Sequence, residues 1–358
     1  MLEGGAEDEL TLRRNSAMFD GLSLRPRVLS DIAKTDMRTR ILGEPVNMPI
    51  MLSPTGGCGL WHPDGEIAVS RAAAAAGIFS ALSTAATKTL EGVAQAAPGP
   101  RMFQLYAFKD GALNSELIRQ SRSNGYKAIC LTVDAIAGAG NREREVRNGL
   151  TPGATMPIQS MVAFARHPKW VFNTIRYKAT NLGMIEELMP GGRSSLKEIR
   201  EFLNNNLANT LTWEDAARLR QEWGGPFVIK GIMTAEDAIR AVEIGAQGIV
   251  VSNHGGRQAD GVSSTIEALP GIAEAVGDQL EIYLDGGVRR GSHVLKALAL
   301  GAKAVMVGRP YIYGLTVGGQ QGVGHVIEIF RREIALCMGM IGVRSLDELG
   351  PVSICKAS

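Results

Sequence analysis

The chain is short of several things, and each shortage removes a class of explanation. It has four cysteines, Cys58, Cys130, Cys337 and Cys355, with no CxxC pair and no cysteine–histidine spacing of a metal site. That argues against a disulfide framework or a bound metal and predicts reduced thiols in a cytosolic setting. No apolar run approaches the roughly 18 residues that a membrane-spanning helix needs. Neither sign of charge dominates: 38 basic residues stand against 36 acidic ones, a net charge of +2, which leaves no case for a nucleic-acid partner. The first nine residues, Met1 to Glu9, are acidic and glycine-rich and do not form a secretion signal.

What remains is an ordinary globular composition, 45% hydrophobic and 21% charged over 358 residues. Length alone allows two domains, but α/β barrels of this size are routinely one. The order of the chain favours the barrel. After a helical and irregular lead-in over 1–47, eight short apolar runs begin at Met48, Gly77, Arg101, Ala128, Phe227, Gly248, Glu281 and Ala304. Helix-like segments lie between them, among them Gly65 to Ala76, Asn114 to Asn124, Ala235 to Ile244 and Gly291 to Leu300. Strands alternating with helices predict a parallel sheet, and eight such units predict a (β/α)8 barrel as one domain over 1–358, its strands between about 48 and 308.

In that fold the chemistry sits at the C-terminal ends of the strands, and all eight runs end in polar or turn-forming residues. They end at Ser53-Pro54-Thr55-Gly56, at Ser83, at Gln104 and Tyr106, at Thr132 and Asp134, at Lys230, at Ser252 with His254 and Arg257, at Asp285-Gly286-Gly287 with Arg289, and at Gly308-Arg309. Turn chemistry explains any one of these. It does not explain a histidine, a lysine and several arginines converging on one mouth. His254 can exchange a proton near neutral pH, and Arg257 can fork a carboxylate. The glycines after runs seven and eight, with Arg289 and Arg309, predict a phosphate site. Lys230, costly to bury without an anion, can stabilise negative charge on a bound heterocycle.

An excursion over about 135–226 separates runs four and five, far longer than an ordinary connection. It opens with Gly138 to Arg147. Its middle, 160–178, carries Phe164, Arg166, His167, Lys169, Trp170, Phe172, Arg176 and Tyr177 and no acidic residue. Such a segment can lie on an anionic membrane surface; it can equally be a packing helix followed by a solvated lid. Met189 to Ser195 reads as mobile, and Val323 to Met338 as a closing amphipathic helix.

The chain resembles the FMN-dependent L-2-hydroxy-acid oxidase and dehydrogenase family, which includes glycolate oxidase, L-lactate oxidase and dehydrogenase, and (S)-mandelate dehydrogenase. The resemblance spans nearly the whole chain. It includes Gly4-Gly5-Ala6-Glu7-Asp8, Arg25-Pro26-Arg27-Val28-Leu29, His62-Pro63-Asp64-Gly65-Glu66, Asn141-Arg142-Glu143 and, most specific, Ser252-Asn253-His254-Gly255-Gly256-Arg257-Gln258. The Pro-Thr-Gly turn and His167-Pro168-Lys169-Trp170 look most like the mandelate and membrane-bound lactate dehydrogenases.

The resemblance implies FMN as cofactor. It implies that Pro54, Thr55, Gly56, Ser83, Gln104, Thr132, Lys230 and Ser252 contact the flavin and its ribityl chain, with Lys230 at the pyrimidine edge. Asp285 would also meet the ribityl chain, and Gly286, Gly287, Arg289, Gly308 and Arg309 the phosphate end. Arg142 and Arg257 would bind the substrate carboxylate, and Tyr106 would hydrogen-bond near the reacting oxygen. His254 would be the base, with Asp134 stabilising its imidazolium. The implied reaction turns an L-2-hydroxy acid into the 2-oxo acid, with a quinone or O2 as electron acceptor, in a homotetramer or larger. A cytoplasmic protein, peripheral at the inner face of the membrane, is the matching location.

Two positions depart from the pattern. Met1 falls where the family carries a tyrosine, so either the start lies upstream or one substrate contact is absent; the latter would leave an FMN-binding protein without turnover. Ala85 stands where glycolate oxidase-like members carry a large aromatic, which predicts room for an aryl or longer-chain acid. Gly56 points to a dehydrogenase, since oxidases of the family often have alanine there.

Overall fold

The computed structural model describes residues 2–32, 35–135, 143–149, 156–177, 181–189 and 196–356. Its centre is a closed barrel of eight parallel strands: β4 (Ile50–Leu52), β5 (Phe79–Ser83), β6 (Arg101–Leu105), β7 (Ala128–Thr132), β8 (Phe227–Ile232), β9 (Gly248–Val251), β10 (Glu281–Leu284) and β11 (Ala304–Val307), with β11 closing onto β4. Each corresponds to one of the eight apolar runs. The strands are buried almost throughout, as strands covered on both faces must be.

Three elements lie in the lead-in: α1 (Leu10–Asp20), the strand β1 (Leu22–Leu24), and a hairpin of β2 (Thr39–Ile41) and β3 (Glu44–Val46). The sequence reading foresaw helix there but not the hairpin. Its turn is Leu42-Gly43, both with positive φ, 49° and 80°, the twist that two-residue hairpins need. Leu42 N–H donates to the Glu281 carboxylate at the start of β10, so the hairpin sits at the N-terminal end of the barrel. There Ile41 and Val46 pack against Met51, Phe79, Met102, Ala128, Cys130, Val228, Tyr283 and other inward-facing side chains. They plug the floor.

Around the barrel run α2 (Gly65–Ala76), α3 (Leu90–Ala96) and α4 (Gly111–Ser123). After β7 come α5 (Glu143–Arg147), α6 (Ile158–Ala165), α7 (Pro168–Arg176), α8 (Gly183–Leu188), α9 (Leu196–Asn206) and α10 (Trp213–Trp223). The remaining helices are α11 (Ala235–Glu243), α12 (Thr265–Val276), α13 (Gly291–Ala299) and α14 (Arg309–Met340). Side-chain caps start many of them. Thr89, Asp110, Thr212 and Thr234 each accept a first-turn N–H, as capping residues do. α10 packs on α4, so it serves as the barrel helix of the long excursion, and α5 to α9 are the added part. The parts of the excursion at 136–142, 150–155, 178–180 and 190–195 lie outside the described residues, and with them most of the stretch read as mobile.

The closing helix is longer than the sequence predicted. α14 starts at Arg309, directly after β11, and kinks at Gly318 and Gly319 before running to Met340. A final strand, β12 (Ile354–Lys356), pairs antiparallel with β1 and ties the tail to the lead-in. All four cysteines are unpaired.

Candidate active site

The loop after β9 carries the chemistry. His254, Gly255 and Gly256 follow one another with φ of 57°, 64° and 72°. For glycine that costs little. For His254 it stores about 1–3 kcal/mol of strain that the surroundings must hold in place. A Cβ on Gly256 would come within 2.6 Å of the Leu12 backbone nitrogen, and one on Gly287 within 1.9 Å of the Asn15 carbonyl oxygen. These two glycines let α1 lie directly on the loops after β9 and β10.

The turn aims His254 between two partners. Its Nδ1 lies 2.9 Å from Asp134 Oδ1, and its Nε2 lies 3.4 Å from the Tyr106 hydroxyl. Its backbone N–H donates to Ser252 Oγ at 3.1 Å. Lys230 Nζ donates to the same Ser252 Oγ at 2.8 Å and lies 3.1 Å from Asp285 Oδ2. Burial alone would raise the Asp134 carboxyl, but the His254 imidazole and the Lys230 ammonium outweigh it and hold it below its usual range. Burial alone would lower Lys230; the carboxylates of Asp285 and Asp134 outweigh it and keep the amine charged. The mouth thus holds a fixed cation and a fixed anion on either side of the histidine.

At the rim, Arg257 Nη1 donates to the Gly4 carbonyl at 2.7 Å, and its Nη2 lies 3.4 Å from Glu145 Oε1. Arg309 donates through Nε to Leu2 O at 3.0 Å and through Nη1 to Gly255 O at 3.1 Å. Burial and the nearby Arg257 and Arg289 push Arg309 down to about 10, and burial also lowers Arg289. Three cations crowded into one rim repel one another, an arrangement stabilised by a bound polyanion.

A cavity of about 370 Å³ opens between these groups, within the usual range of ligand sites. Pro54, Thr55, Gly56, Ser83, Tyr106, Lys230, His254, Arg257, Asp285, Gly286, Gly287, Arg289, Gly308 and Arg309 line it. Gln104, Thr132, Ser252 and Asp134 do not, but each is joined to a residue that does. Gln104 Oε1 accepts from Ser83, Thr132 pairs in register with Lys230, Ser252 holds Lys230 and Asp134 holds His254. Arg142 lies outside the described residues. Ala85 is on the wall, as expected of a size-setting position.

The residues fit FMN. Four buried side-chain atoms in this mouth, Gln104 Nε2, Thr132 Oγ1, Asp134 Oδ2 and Asp285 Oδ1, have no hydrogen-bond partner among the described residues. An unpaired buried polar atom costs about 1–3 kcal/mol, so four together point to a polar ligand. A heterocycle edged with donors and acceptors, carrying a phosphate toward Arg289 and Arg309, satisfies both sets.

Sequence reasoning missed three contributors. Trp61, in the short helical turn after the first strand loop, lines the cavity, as does Leu2. Glu66, buried at the start of α2, accepts from Cys58 N at 3.0 Å, Thr87 N at 2.9 Å and Thr87 Oγ1 at 2.6 Å. It fastens the loop after β4, which carries Pro54–Gly56, to the loop that follows Ser83 at the end of β5. A lone glutamate in a helix gives no signal of this; only its place in His62-Pro63-Asp64-Gly65-Glu66 set it apart.

Comparison with known proteins agrees with the geometry. The profile of the FMN-dependent dehydrogenase family matches residues 1–356. An L-lactate dehydrogenase of Chromohalobacter salexigens is 39% identical over 99% of this chain and 90% of its own. An L-lactate oxidase of a Nostoc species is 41% identical over 96% and 90%. A solved (S)-mandelate dehydrogenase, described as a monotopic membrane protein, superposes with a TM-score of 0.93 at 32% identity, covering 99% of this chain and 94% of the other.

Proposed function

The chain belongs to the FMN-dependent dehydrogenase family, and from that premise we propose that it oxidises an L-2-hydroxy acid to the 2-oxo acid and passes the electrons to a quinone or a similar acceptor. The observation that carries this reading is the line Tyr106–His254–Asp134 beside Arg257 at the edge of the cavity.

Each residue has a separate task. Arg257 clamps the substrate carboxylate with two parallel donors; its Nη2 already lies 3.4 Å from one carboxylate oxygen, that of Glu145. Arg142 is the second arginine of the clamp. Asp134 accepts from Nδ1 of His254, which fixes the tautomer and leaves Nε2 to take the substrate proton. Asp134 then stabilises the imidazolium that results. Tyr106 steadies the substrate oxygen. Bound FMN supplies the two-electron chemistry that these side chains lack. Pro54, Thr55, Gly56, Ser83, Gln104, Thr132, Lys230 and Ser252 hold its ring and ribityl chain, together with Asp285. Gly286, Gly287, Arg289, Gly308 and Arg309 hold its phosphate. Ala85 on the wall leaves space for an aryl or longer-chain acid.

The test is anaerobic. The FMN-loaded protein is mixed in turn with L-lactate, L-mandelate, glycolate and a long-chain 2-hydroxy acid, and the flavin absorbance is followed. Bleaching by one of them is expected; a flavin that none of them reduces would overturn the reading. The second reading is an O2-using oxidase making hydrogen peroxide, favoured by the similarity to the Nostoc oxidase. Fast reoxidation in air, against slow reoxidation in air and fast reoxidation by a soluble quinone, separates the two.

The acceptor reading gains support from α6 and α7. Ile158 is 78% exposed, Phe172 64% and Ile175 74%, with Met161, Val162 and Tyr177 also outward. No acidic residue occurs from Val146 to Ile185, while Arg166, Lys169 and Arg176 do. Apolar side chains among cations suit an anionic bilayer surface. Among the described residues no helix is long and apolar enough to cross a membrane; the contact we propose is peripheral, at the inner face reached from the cytoplasm. Sedimentation with phosphatidylglycerol vesicles is expected, and none with phosphatidylcholine alone. Equal recovery in the supernatant with both would remove the membrane from this account. A homotetramer or larger is the accompanying assembly, measured by light scattering.

A further inference from the structure

The histidine loop is clasped by a residue far away in sequence. Asn15, buried on α1, donates from Nδ2 to Asn253 Oδ1 at 2.8 Å, and Asn253 Nδ2 donates back to Asn15 Oδ1 at 2.8 Å. Two carboxamides face each other in a closed ring of two hydrogen bonds. The remaining capacity is used locally. Asn253 Nδ2 also donates to Ser263 O at 3.0 Å, Asn253 Oδ1 accepts from Gly256 N at 3.2 Å, and Asn15 Oδ1 accepts from Thr265 N at 3.4 Å. The Gly256 N–H is therefore held by the Asn253 side chain, and by the Asn253 carbonyl at 3.0 Å. His254 lies inside that short loop, in its strained left-handed conformation.

We propose that the Asn15–Asn253 pair is a positioning device that locks the left-handed turn of residues 254–256 and so aims the His254 imidazole at Tyr106, Asp134 and the substrate. The inference rests on the reading of His254 as the base. It differs from a merely structural role because α1 has other anchors. Asp260 accepts from Leu10 N and Thr11 N, Ala6 N donates to Gly256 O, Lys296 donates to Phe19 O, and Arg14 pairs with Glu267. Removing the pair leaves the helix docked and loosens the Asn253 side chain, which holds the Gly256 N–H; the backbone bonds of the turn remain. The charged and titratable groups on the surrounding elements are Arg14, Glu267, Asp260, Asp285, Arg289 and His293; among the described residues none hydrogen-bonds either amide.

The pairing suggests its own probe. In Asn15→Asp, a protonated carboxyl can still donate to Asn253 Oδ1 and accept from Nδ2, whereas a carboxylate faces Asn253 Oδ1 with no donor. The variant therefore matches wild type at low pH and falls behind as its carboxyl ionises. The experiment uses the FMN-loaded full chain and the 2-hydroxy acid that bleaches the wild-type flavin fastest. It reads the anaerobic reduction rate against pH as a ratio to wild type, together with KM, FMN content and Tm. The expected result is a ratio near one at low pH, dropping about tenfold or more as pH rises, with KM and FMN content held; Tm falls only modestly, as Asn253 loses its buried partner, and stays above the assay temperature. Asn15→Leu, similar in shape and unable to titrate, should show the loss at every pH. A flat ratio in Asn15→Asp, or a wild-type rate in Asn15→Leu, would overturn the proposal. So would a fall in Tm and FMN content that tracks the lost rate, which would assign the pair to stability alone. If Asn15→Asp does not fold, Asn15→Leu is decisive by the same readouts. His254→Ala is run alongside. A normal rate in that variant, or no bleaching of wild type by any acid, sinks the catalytic reading and this proposal with it. Loss in His254→Ala with unaffected Asn15 variants sinks this proposal alone.

Discussion

The two sides of the barrel mouth use apolar residues in opposite ways. On the side of α11, α12 and α13, Ala238, Ala241, Ile266, Leu269, Ile272, Val294 and Leu295 point inward and are buried, and α1 is laid across the loops above them. On the side of α6 and α7, Ile158, Met161, Val162, Phe172 and Ile175 point outward. Both sides carry amphipathic helices. On the first, the apolar faces find the protein's own barrel; on the second, five large apolar side chains face away from it. Helical periodicity says that a face will be covered. Only the charge around it, and the position of the helix relative to the barrel, say what covers it.

The sharpest way to test that contrast is on the side of the histidine loop. His254→Ala should retain FMN and lose about 10²–10⁴-fold in the anaerobic reduction rate, the usual worth of a positioned base; near-normal reduction would mean that the ordered loops serve binding alone. Lys230→Met comes next. It leaves the Asp285 carboxylate buried without its cation, and denaturant unfolding of the apoprotein should register a loss of about 3–5 kcal/mol. Arg257→Lys replaces a fork with a point charge and should raise KM by about tenfold, or about 1.4 kcal/mol, with a smaller change in kcat; an unaltered KM would take the carboxylate away from Arg257. On the other side, Phe172→Ser with Ile175→Ser should change stability by less than about 0.5 kcal/mol and leave reduction of flavin intact while abolishing sedimentation with anionic vesicles. A large loss of Tm in that double variant would mean that the outward face is covered by protein after all.

The smallest effect concerns acid. Asp134 has a folded-state value below its ordinary one, so it binds its proton less readily when folded. Its contribution to stability is complete above the unfolded value of about 3.9 and is lost as pH falls below that, through the folded value. Asp134→Asn should therefore flatten the acid limb of the unfolding curve and leave the alkaline limb unchanged.

Much of the barrel side was legible in the sequence. Runs such as Gly248–Val251 are continuous, β-branched and cut off by polar residues, and a run buried on both faces has few other readings. That residues such as Lys230, His254, Asp285 and Arg309 meet in one cavity was legible for the same reason, because the strand ends place them. The hairpin at Leu42-Gly43 was missed because its three-residue strands are too short to show a period. The predicted closing helix, Val323 to Met338, lies in the part of α14 after the kink; the stretch of helix that starts at Arg309 before non-helical Gly318 and Gly319 was missed. Glu66 and Asn15 gave no signal, because each works through partners that folding brings near: Asn253 is 238 residues from Asn15 in the chain. The helices of the excursion were seen as composition, not as α6 and α7 with defined faces.

The plugged floor has a consequence for traffic. With Ile41 and Val46 seated under the inward-facing layer, the barrel, among the described residues, is a vessel open at the end rimmed by Arg257 and Arg309. In the proposed reaction, fuel, spent product and the carrier that takes the electrons away would share that threshold. On that proposal a carrier large enough to fill the doorway would wait for the keto acid to depart, and turnover with bulky acceptors would alternate, one visitor at a time.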